Sequence, residues 1–399
     1  MTSFVQSRRF LVAAFLLAMT VCNLTLLFRV LPALRNGYQD FTIYYTGARL
    51  LRNGQASALY NLGTQYRTQL TFTHVPIRQG PLPYNHPPFE TLLFVPFTLL
   101  KYWPAYLVWT ALNLIMLAAS VVLLRRQFPQ LAAVPPIVLG LGATAFFPVA
   151  IGLIQGQDVI LLLFLFVLAS IFLERGYDAT GGALLAAGLF RPHLVVPLVV
   201  LLAIRRWRIL LGFAPVALLL AGISVAIMGW SVPFDYVRFV LRVERTGAGG
   251  FGPHAVPNLR GLIADLPGLS FSGPVTAVLV LASSVVVFFL ALRRIRNGRD
   301  SILFASGLAA VTTILVSFHA LSYDLTLLLP TALCLLSRLA GVEGKKIDAR
   351  TILLVVLLFL TPLYIFLLLA VDRFFWFSLI LLWLYLRLML TPAPAEVPA

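Results

Sequence analysis

The chain has 399 residues, of which 60% are hydrophobic and only 11% are charged, and its mean hydropathy is +0.94. A soluble domain carries about 25% charged residues, so this composition excludes a soluble fold and indicates an integral membrane protein. The formal net charge of +16 does not indicate nucleic acid, because the arginines stand in short groups between apolar runs, the pattern that orients helices in a membrane. The two cysteines each fall inside an apolar run, which excludes a disulfide framework and a thiolate metal site.

Apolar runs of membrane-spanning length recur along the whole chain. A helix needs about 20 residues to cross a bilayer, and the sequence predicts an all-α polytopic protein with about 11–13 transmembrane helices. We expect one domain, residues 1–390, followed by a disordered tail at 391–399. The full-length runs lie at residues 10–31, 104–124, 131–151, 158–173, 209–229, 271–292, 301–318, 322–338, 351–371 and 374–390.

Three shorter runs contain or adjoin proline and are too short to cross comfortably. Residues 87–100 are predicted to dip into the membrane and return, whereas residues 181–190 and 193–204 are predicted to cross and recross it. This threading places both termini on the cytoplasmic side, together with five basic groups. These are Arg8 and Arg9, Arg125 and Arg126, Arg205 to Arg208, Arg293 to Arg299, and Lys345 to Arg350. The loops at residues 32–86 and 230–270 then lie on the outer side.

The first outer loop begins with a predicted amphipathic helix. Apolar residues recur at helical spacing from Phe41, Arg49 and Arg52 fall on the opposite side, and Gly54 is a stop signal. We expect this helix to lie at the membrane surface. Asp40 stands at its head, where a carboxylate is either a helix cap or a general base whose pKa is adjusted by partial burial.

Polar residues interrupt the sequence at the outer ends of three further runs. His86 precedes two prolines that also fit a simple helix start. Gln157 and Asp158 are either loop and cap residues or members of a site, and Arg191 separates the two short runs. His319 would be an ordinary interfacial residue if it stood alone, but Tyr323 and Asp324 follow it closely and make a site equally plausible.

The second outer loop carries a basic group. Its members are His254, Asn258 and Arg260, with Arg238, Arg242 and Arg245 upstream. Arginines are normally concentrated in cytoplasmic loops, so a group of them on the outer side calls for a functional explanation. Guanidinium groups bind phosphate oxygens through paired hydrogen bonds, so this group predicts a phosphate-bearing ligand.

Four segments resemble, in the same order, those of glycosyltransferase family 87. They are DFTIYYTGARLLRNGQASALYN at 40–61, YNHPPFETLLFVPFTLL at 84–100, GQDVILLLFLFVLA at 156–169 and SFHALSYDLTLLLP at 317–330. The family consists of multi-span bacterial enzymes similar to polyprenol-phosphate-mannose-dependent mannosyltransferases. The sequence has no P-loop, dinucleotide-binding glycine motif or hydrolase serine motif.

The resemblance implies a GT-C type membrane glycosyltransferase with its active site under the first outer loop. Asp40 would be the base that deprotonates the acceptor hydroxyl, and His319 would contact the donor phosphate or orient the reacting groups. The other polar residues of these groups are assigned to donor binding. They are Tyr44, Tyr45, His86, Gln157, Arg191, His254, Asn258, Arg260, Tyr323 and Asp324.

The expected reaction moves a hexose, mannose by resemblance, from a polyprenyl-phosphate donor to a lipid or glycan hydroxyl, with inversion. It would take place at the outer face of the bacterial inner membrane, and the chain is expected to be a monomer that binds membrane lipids and no nucleic acid. No cofactor or metal is expected, because the acidic residues of the outer face are scattered along the sequence and fixed cations could stabilise the leaving phosphate. A transporter or flippase is the alternative, although it would place its polar residues near the bilayer midplane.

Overall fold

The computed structural model describes residues 2–73, 80–246, 252–266, 272–298, 300–340 and 348–391. In this part of the chain all regular structure is helical, which confirms the predicted all-α class. The predicted tail lies outside the described residues, except for Thr391.

The helix boundaries follow most of the predicted apolar runs closely. The helices of the first half are α1 (Thr2–Arg35), α2 (Phe41–Arg52), α3 (Leu62–Gln69), α4 (Glu90–Phe94), α5 (Tyr102–Gln127), α6 (Pro129–Ala132), α7 (Pro136–Ala145), α8 (Phe147–Gln155), α9 (Val159–Glu174), α10 (Asp178–Ala187) and α11 (Pro192–Ala203). Those of the second half are α12 (Ile209–Met228), α13 (Val232–Thr246), α14 (Leu259–Ala264), α15 (Gly273–Asn297), α16 (Ile302–Val316), α17 (Leu329–Leu339), α18 (Ala349–Phe359), α19 (Thr361–Ile365) and α20 (Phe377–Leu390).

Four of the described helices are long and apolar enough to cross a bilayer alone, namely α1 from Arg8, α5, α12 and α15. The bent pairs α7 with α8 and α18 with α19 raise this number to six if each pair forms one span. The other apolar helices have 10–17 residues. At about 1.5 Å per residue they fall short of a hydrocarbon core of about 30 Å. The number of spans by length is therefore lower than the predicted number, because proline and loops divide several apolar runs into shorter helices.

Apolar side chains cover the outside of the long helices. Leu218 in α12 is 73% exposed and Leu281 in α15 is 66% exposed. Backbone polar groups are satisfied within each helix, so such surfaces are suited to lipid contact. Together with the spans, they define a polytopic membrane protein.

The basic helix ends meet at one end of the molecule. Arg9 in α1 donates to the Ala340 carbonyl at the end of α17. Arg205, which follows α11, binds the Asp300 carbonyl, and Arg294 in α15 binds the Asp300 carboxylate. The structure thus collects these groups on one side of the bundle, as the threading requires. Which side of the membrane this is stays a prediction.

Two bent helix pairs lie beside α1. The α7–α8 pair bends by 61° and the pair that begins with α18 bends by 57°. Pro148 and Pro362 stand near the start of the second segment in each pair, where proline lacks the N–H that would continue the helix. Asn23 in α1 donates to the Thr144 carbonyl at 2.9 Å and accepts from the Thr361 hydroxyl at 3.0 Å. One buried amide therefore satisfies polar groups at both breaks.

The short run at 181–190 forms α10, which lies directly against α12. A Cβ atom added at Gly182 would stand 1.9 Å from the Ile209 carbonyl oxygen, and one at Gly212 would stand 1.7 Å from that of Ala179. Such close backbone contact between apolar helices requires glycine. Helices α10 and α11 have 10 and 12 residues, so neither is long enough to cross alone.

Helix α2 forms where the sequence predicts it, and Gly54 follows it with a φ of 71°. Its surroundings differ from those of a helix that lies on a surface, because most of its residues are buried in protein; its location at the level of the membrane surface stays a prediction. The segment with α4 folds over it, and Tyr44 stacks on Phe94 with ring centroids 4.6 Å apart. Phe41 packs against the rings of Phe94, Tyr102 and Tyr106. Both faces of α2 therefore contact protein.

Candidate active site

A cavity of about 250 Å³ lies at the end of the bundle opposite the basic helix ends. It is enclosed by the start of α2, the segment before α4, the starts of α9 and α11, one face of α13 and the segment after α16. Its polar lining residues are Asp40, Asn85, His86, Gln157, Arg191, His193, Tyr236, Glu244, His319 and Tyr323. Six of the residues predicted for the site thus meet at one cavity.

Asp40 has the environment of a reactive carboxylate. It stands before α2, but its side chain does not cap that helix. Instead it accepts a hydrogen bond of 2.5 Å from Nε2 of Gln157. Burial raises the pKa of Asp40 to about 6, although the hydrogen bond from Gln157 and the charge of Arg191 act in the opposite direction. Asp40 is thus a carboxylate that is ionised at pH 7 and more basic than usual, and the helix-cap interpretation fails.

Arg191 links the buried polar side chains next to the cavity to one another. It stands before α11, where its buried guanidinium binds Asp158 at 2.7 Å and Asp324 at 2.8 Å. It also donates to Oε1 of Gln157 and to the hydroxyl of Tyr44. Because Arg191 and the Tyr44 hydroxyl both donate to the amide oxygen of Gln157, its NH₂ group must face Asp40. The ion pairs therefore fix the partner of the candidate base.

Asp158 accepts a hydrogen bond from Arg191 and does not cap α9, although it stands directly before that helix. Asp324 binds the backbone N–H of Leu321 in addition to Arg191. A buried ion pair of this kind depends on such additional hydrogen bonds, because each charge has lost its water. We interpret Asp158 and Asp324 as positioning residues for Arg191.

A second network surrounds His319. Its Nδ1 lies 2.8 Å from one oxygen of Glu244, and Arg260 binds the other oxygen at 3.0 Å. Burial raises the pKa of Glu244, but the hydrogen bonds and charges of His319 and Arg260 outweigh burial and lower it. An ionised carboxylate only accepts hydrogen bonds, so Nδ1 of His319 carries the proton. The other ring nitrogen, Nε2, is then available for a ligand.

Asn258 and Arg260 shape the segment that carries His319. Asn258 caps α14 and donates to the Ser317 carbonyl at 2.7 Å. Arg260 donates to the Phe318 carbonyl and lies over the Phe318 ring, 4.1 Å from its centroid. Neither residue lines the cavity, and the charge of Arg260 is neutralised by Glu244. The structure thus places both residues next to the His319 segment and outside the cavity lining, and their role in donor binding stays a prediction.

His86 lines the cavity, and its ring lies edge-on to Tyr44 with centroids 5.1 Å apart. Burial lowers the pKa of His86 to about 4, so the ring is neutral at pH 7. Two other predicted residues are not brought to the cavity. The hydroxyl of Tyr45 donates to the Leu100 carbonyl, and His254 lies 3.8 Å from Asp372 on a partly exposed surface.

Two of the upstream arginines of the second outer loop do not join Arg260. Arg238 and Arg242 line a separate hollow with Tyr60 and Asp235. The predicted cluster for phosphate is therefore divided, because α13 turns its basic side away from the cavity.

Glu244 is the main site residue that the sequence did not single out. Tyr236, Val240 and Val243 of α13 line the cavity together with Glu244. Residues spaced by three and four share one face of a helix. This spacing is visible in the sequence and separates Glu244 from the neighbouring arginines, so a search along α13 could have found it.

A buried basic carboxylate, three histidines and an ion-paired arginine around one cavity define this polytopic protein as a candidate membrane enzyme. The sequence profile of glycosyltransferase family 87 matches residues 84–317, which is more than half of the chain. The chain therefore belongs to glycosyltransferase family 87 and is a membrane glycosyltransferase. No curated protein and no solved structure gives a significant match. Asp40 and His319 lie outside the matched segment, so their roles depend on the geometry and on the resemblance of their own segments.

Proposed function

We propose that this glycosyltransferase moves a hexose, with mannose as the expected sugar, from a polyprenyl-phosphate donor to the hydroxyl of a lipid or glycan. The observation that carries the proposal is the state of Asp40. This carboxylate is buried, lines the cavity and is held by Gln157 rather than by its own helix. A residue held in this way is suited to take a proton from a substrate.

The proposed reaction is a single displacement that inverts the sugar carbon. The acceptor oxygen loses its proton as it attacks, which needs a base within about 2.6–3.2 Å. Asp40 takes that proton, and its pKa of about 6 keeps it ionised at pH 7 while making it a better base than an exposed aspartate. The leaving phosphate needs no proton from a general acid, so one base is sufficient.

His319 is the proposed contact for the donor phosphate. Because Nδ1 is held by Glu244, the imidazole ring has a fixed orientation and Nε2 is free to contact the phosphate. Arg260 acts through Glu244 and does not touch the donor, which changes the role expected from the sequence. A fixed donor aimed at developing charge stabilises the transition state more than a mobile one.

The apolar part of the cavity lining supports a lipid-linked donor. Leu82, Val240 and Phe318 line the cavity beside the polar residues. An isoprenoid chain would contact such side chains while its phosphate and sugar reach the polar group. We further propose that the cavity faces the outer side of a bacterial inner membrane and that the chain acts as a monomer.

The transporter interpretation is less well supported. Transporters bind polar substrates at broken helices near the membrane midplane. Here the two bent pairs are bridged by the neutral side chains of Asn23 and Thr361, whereas Asp40, Arg191 and His319 meet at one end of the bundle. The described charged residues therefore favour an enzyme with a cavity at the membrane surface.

A donor screen tests the proposal. Membranes that contain the protein are supplied with polyprenyl-phosphate sugars radiolabelled in the sugar, and the extracted lipids and glycans are separated. We expect label to move from one polyprenyl-phosphate sugar, in the wild type and in Asp265→Asn, whose carboxylate binds Arg373 away from the cavity. Membranes without the protein are the blank. Transfer from nucleotide sugars alone would contradict the proposed donor.

A further inference from the structure

Three side chains next to the cavity have the spacing of metal ligands. His86 precedes α4, Glu90 is the first residue of α4, and Asp158 precedes α9. One ligand atom from each lies within 4.8 Å of the other two. Nδ1 of His86 is 2.9 Å from a Glu90 oxygen and 3.8 Å from an Asp158 oxygen. The fold thus brings Asp158 close to two residues that are far from it in sequence.

One polar atom of each residue in this group lacks a hydrogen-bond partner. Nδ1 of His86, Oε1 of Glu90 and Oδ2 of Asp158 are all buried and unpartnered. The short contact between His86 and Glu90 is not aligned as a hydrogen bond. Arg191 occupies the other oxygen of Asp158, which leaves Oδ2 directed toward His86. Buried polar atoms without partners are costly, and several in one place indicate a missing ligand.

The charge balance of the surrounding network points to a cation. The buried carboxylates are those of Asp40, Glu90, Asp158 and Asp324, and Arg191 is the cation that they surround. Four carboxyl groups therefore surround one fixed cation. A bound divalent cation would compensate the negative charge of its carboxylate ligands, which is expensive to bury alone.

We propose that His86, Glu90 and Asp158 bind a divalent transition-metal ion, such as Mn²⁺ or Zn²⁺. One imidazole nitrogen with two carboxylate oxygens suits both ions, and three protein ligands leave a position for water or a substrate oxygen. Arg191 would orient Asp158, and Tyr84 would orient Glu90. Side chains that hydrogen-bond to metal ligands commonly have this role. Because His86 lines the cavity, the ion would lie at its wall.

The inference replaces the expectation of a metal-free site. That expectation rested on acidic residues that are scattered along the sequence, and the fold brings two of them together with a histidine. It does not depend on the proposed sugar transfer, since the ion can bind without a donor. Failure of one proposal therefore leaves the other standing.

The test is equilibrium binding of Mn²⁺ to full-length protein in nanodiscs after treatment with EDTA. Free Mn²⁺ is followed by electron paramagnetic resonance, and Zn²⁺ is added as a competitor. We expect one Mn²⁺ per chain, displaced by Zn²⁺, and binding at least about tenfold weaker in Glu90→Gln and His86→Ala. Asp265→Asn, which alters a carboxylate outside the group, should bind like the wild type.

Two results would overturn the inference. One is the absence of saturable binding of either ion to the wild type below about 1 mM. The other is binding that both ligand variants retain, because the ion would then lie elsewhere. If a variant does not fold, the wild type still decides: its unfolding temperature must rise with Mn²⁺ or Zn²⁺, since a ligand that binds the folded state stabilises it. An unchanged unfolding temperature at saturating ion would count against the site.

Discussion

Asp40 is subject to opposing influences on its pKa. Burial raises the pKa to about 6, the Gln157 hydrogen bond and the Arg191 charge lower it, and the charges of Asp158 and Asp324 raise it. A general base acts in its ionised form, so kcat/KM should fall as the pH drops through about 6 and level off above it. The acid side of the pH profile is therefore a direct report on this carboxylate.

Replacing Gln157 by leucine should move that profile. A hydrogen bond to a charged group contributes about 1.5 kcal/mol, and its loss should raise the pKa of Asp40 by about one unit. The acid limb of kcat/KM for Gln157→Leu should then lie about one pH unit higher than in the wild type. Asn113→Leu, a buried amide bonded within its own helix, is the matched control. If the acid limb of kcat/KM for Gln157→Leu lies at the same pH as in the wild type, a group other than Asp40 is titrating.

The role given to Arg260 is tested by a double-mutant cycle. If Arg260 acts through Glu244, Arg260→Ala and Glu244→Gln should each lower kcat/KM for the donor by about tenfold. The double variant should be little worse than the more impaired single variant, because the two residues act as one unit. Multiplicative losses would instead indicate that Arg260 contacts the donor itself.

At the scale of elements, Asn23 links three helices. Asn23→Leu would leave the Thr144 carbonyl and the Thr361 hydroxyl without this partner in an apolar region. We expect it to lower the free energy of unfolding by about 1–3 kcal/mol, the range for unsatisfied buried polar groups. Unfolding in a denaturing detergent measures this, with Asn113→Leu as the control. An equal effect of the two substitutions would mean that the bridge has no special role.

The sequence predicts the existence of α2 but not its surroundings. Apolar spacing from Phe41 and the stop at Gly54 are local signals, and both were right. Its burial depends on Phe94 and Tyr102, which come from later segments of the chain. A single sequence does not show which distant segments pack together. For the same reason the sequence indicates where the helices break, but it does not show that Asn23 forms hydrogen bonds at both breaks.

The site was predictable residue by residue and not as an arrangement. Asp40, Gln157 and Arg191 stand out as polar residues at the ends of apolar runs. Their mutual contacts follow from tertiary packing, as does the neutralisation of Arg260 by Glu244. Identifying a charge in the sequence does not reveal whether it is free to bind a ligand.

At the scale of the whole molecule, the arginine distribution predicts the orientation. In a background with Cys22→Ala and Cys334→Ala, Ser57→Cys near the cavity end should react with an impermeant maleimide on intact cells. Trp207 lies between α11 and α12 near the basic end, and its side chain is 62% exposed. A cysteine introduced by Trp207→Cys should therefore react only after the membrane is opened. The reverse pattern would place the cavity on the cytoplasmic side.

The turnover number of Asp40→Asn, measured with purified protein and its polyprenyl-phosphate donor, tests the central claim most directly. Asparagine keeps the size of the side chain but cannot accept the acceptor's proton. We expect donor binding to remain and turnover to fall by about two to four orders of magnitude, the usual scale for loss of a general base. Turnover close to that of the wild type, with the protein folded and the donor bound, would contradict the assignment of Asp40 as the base.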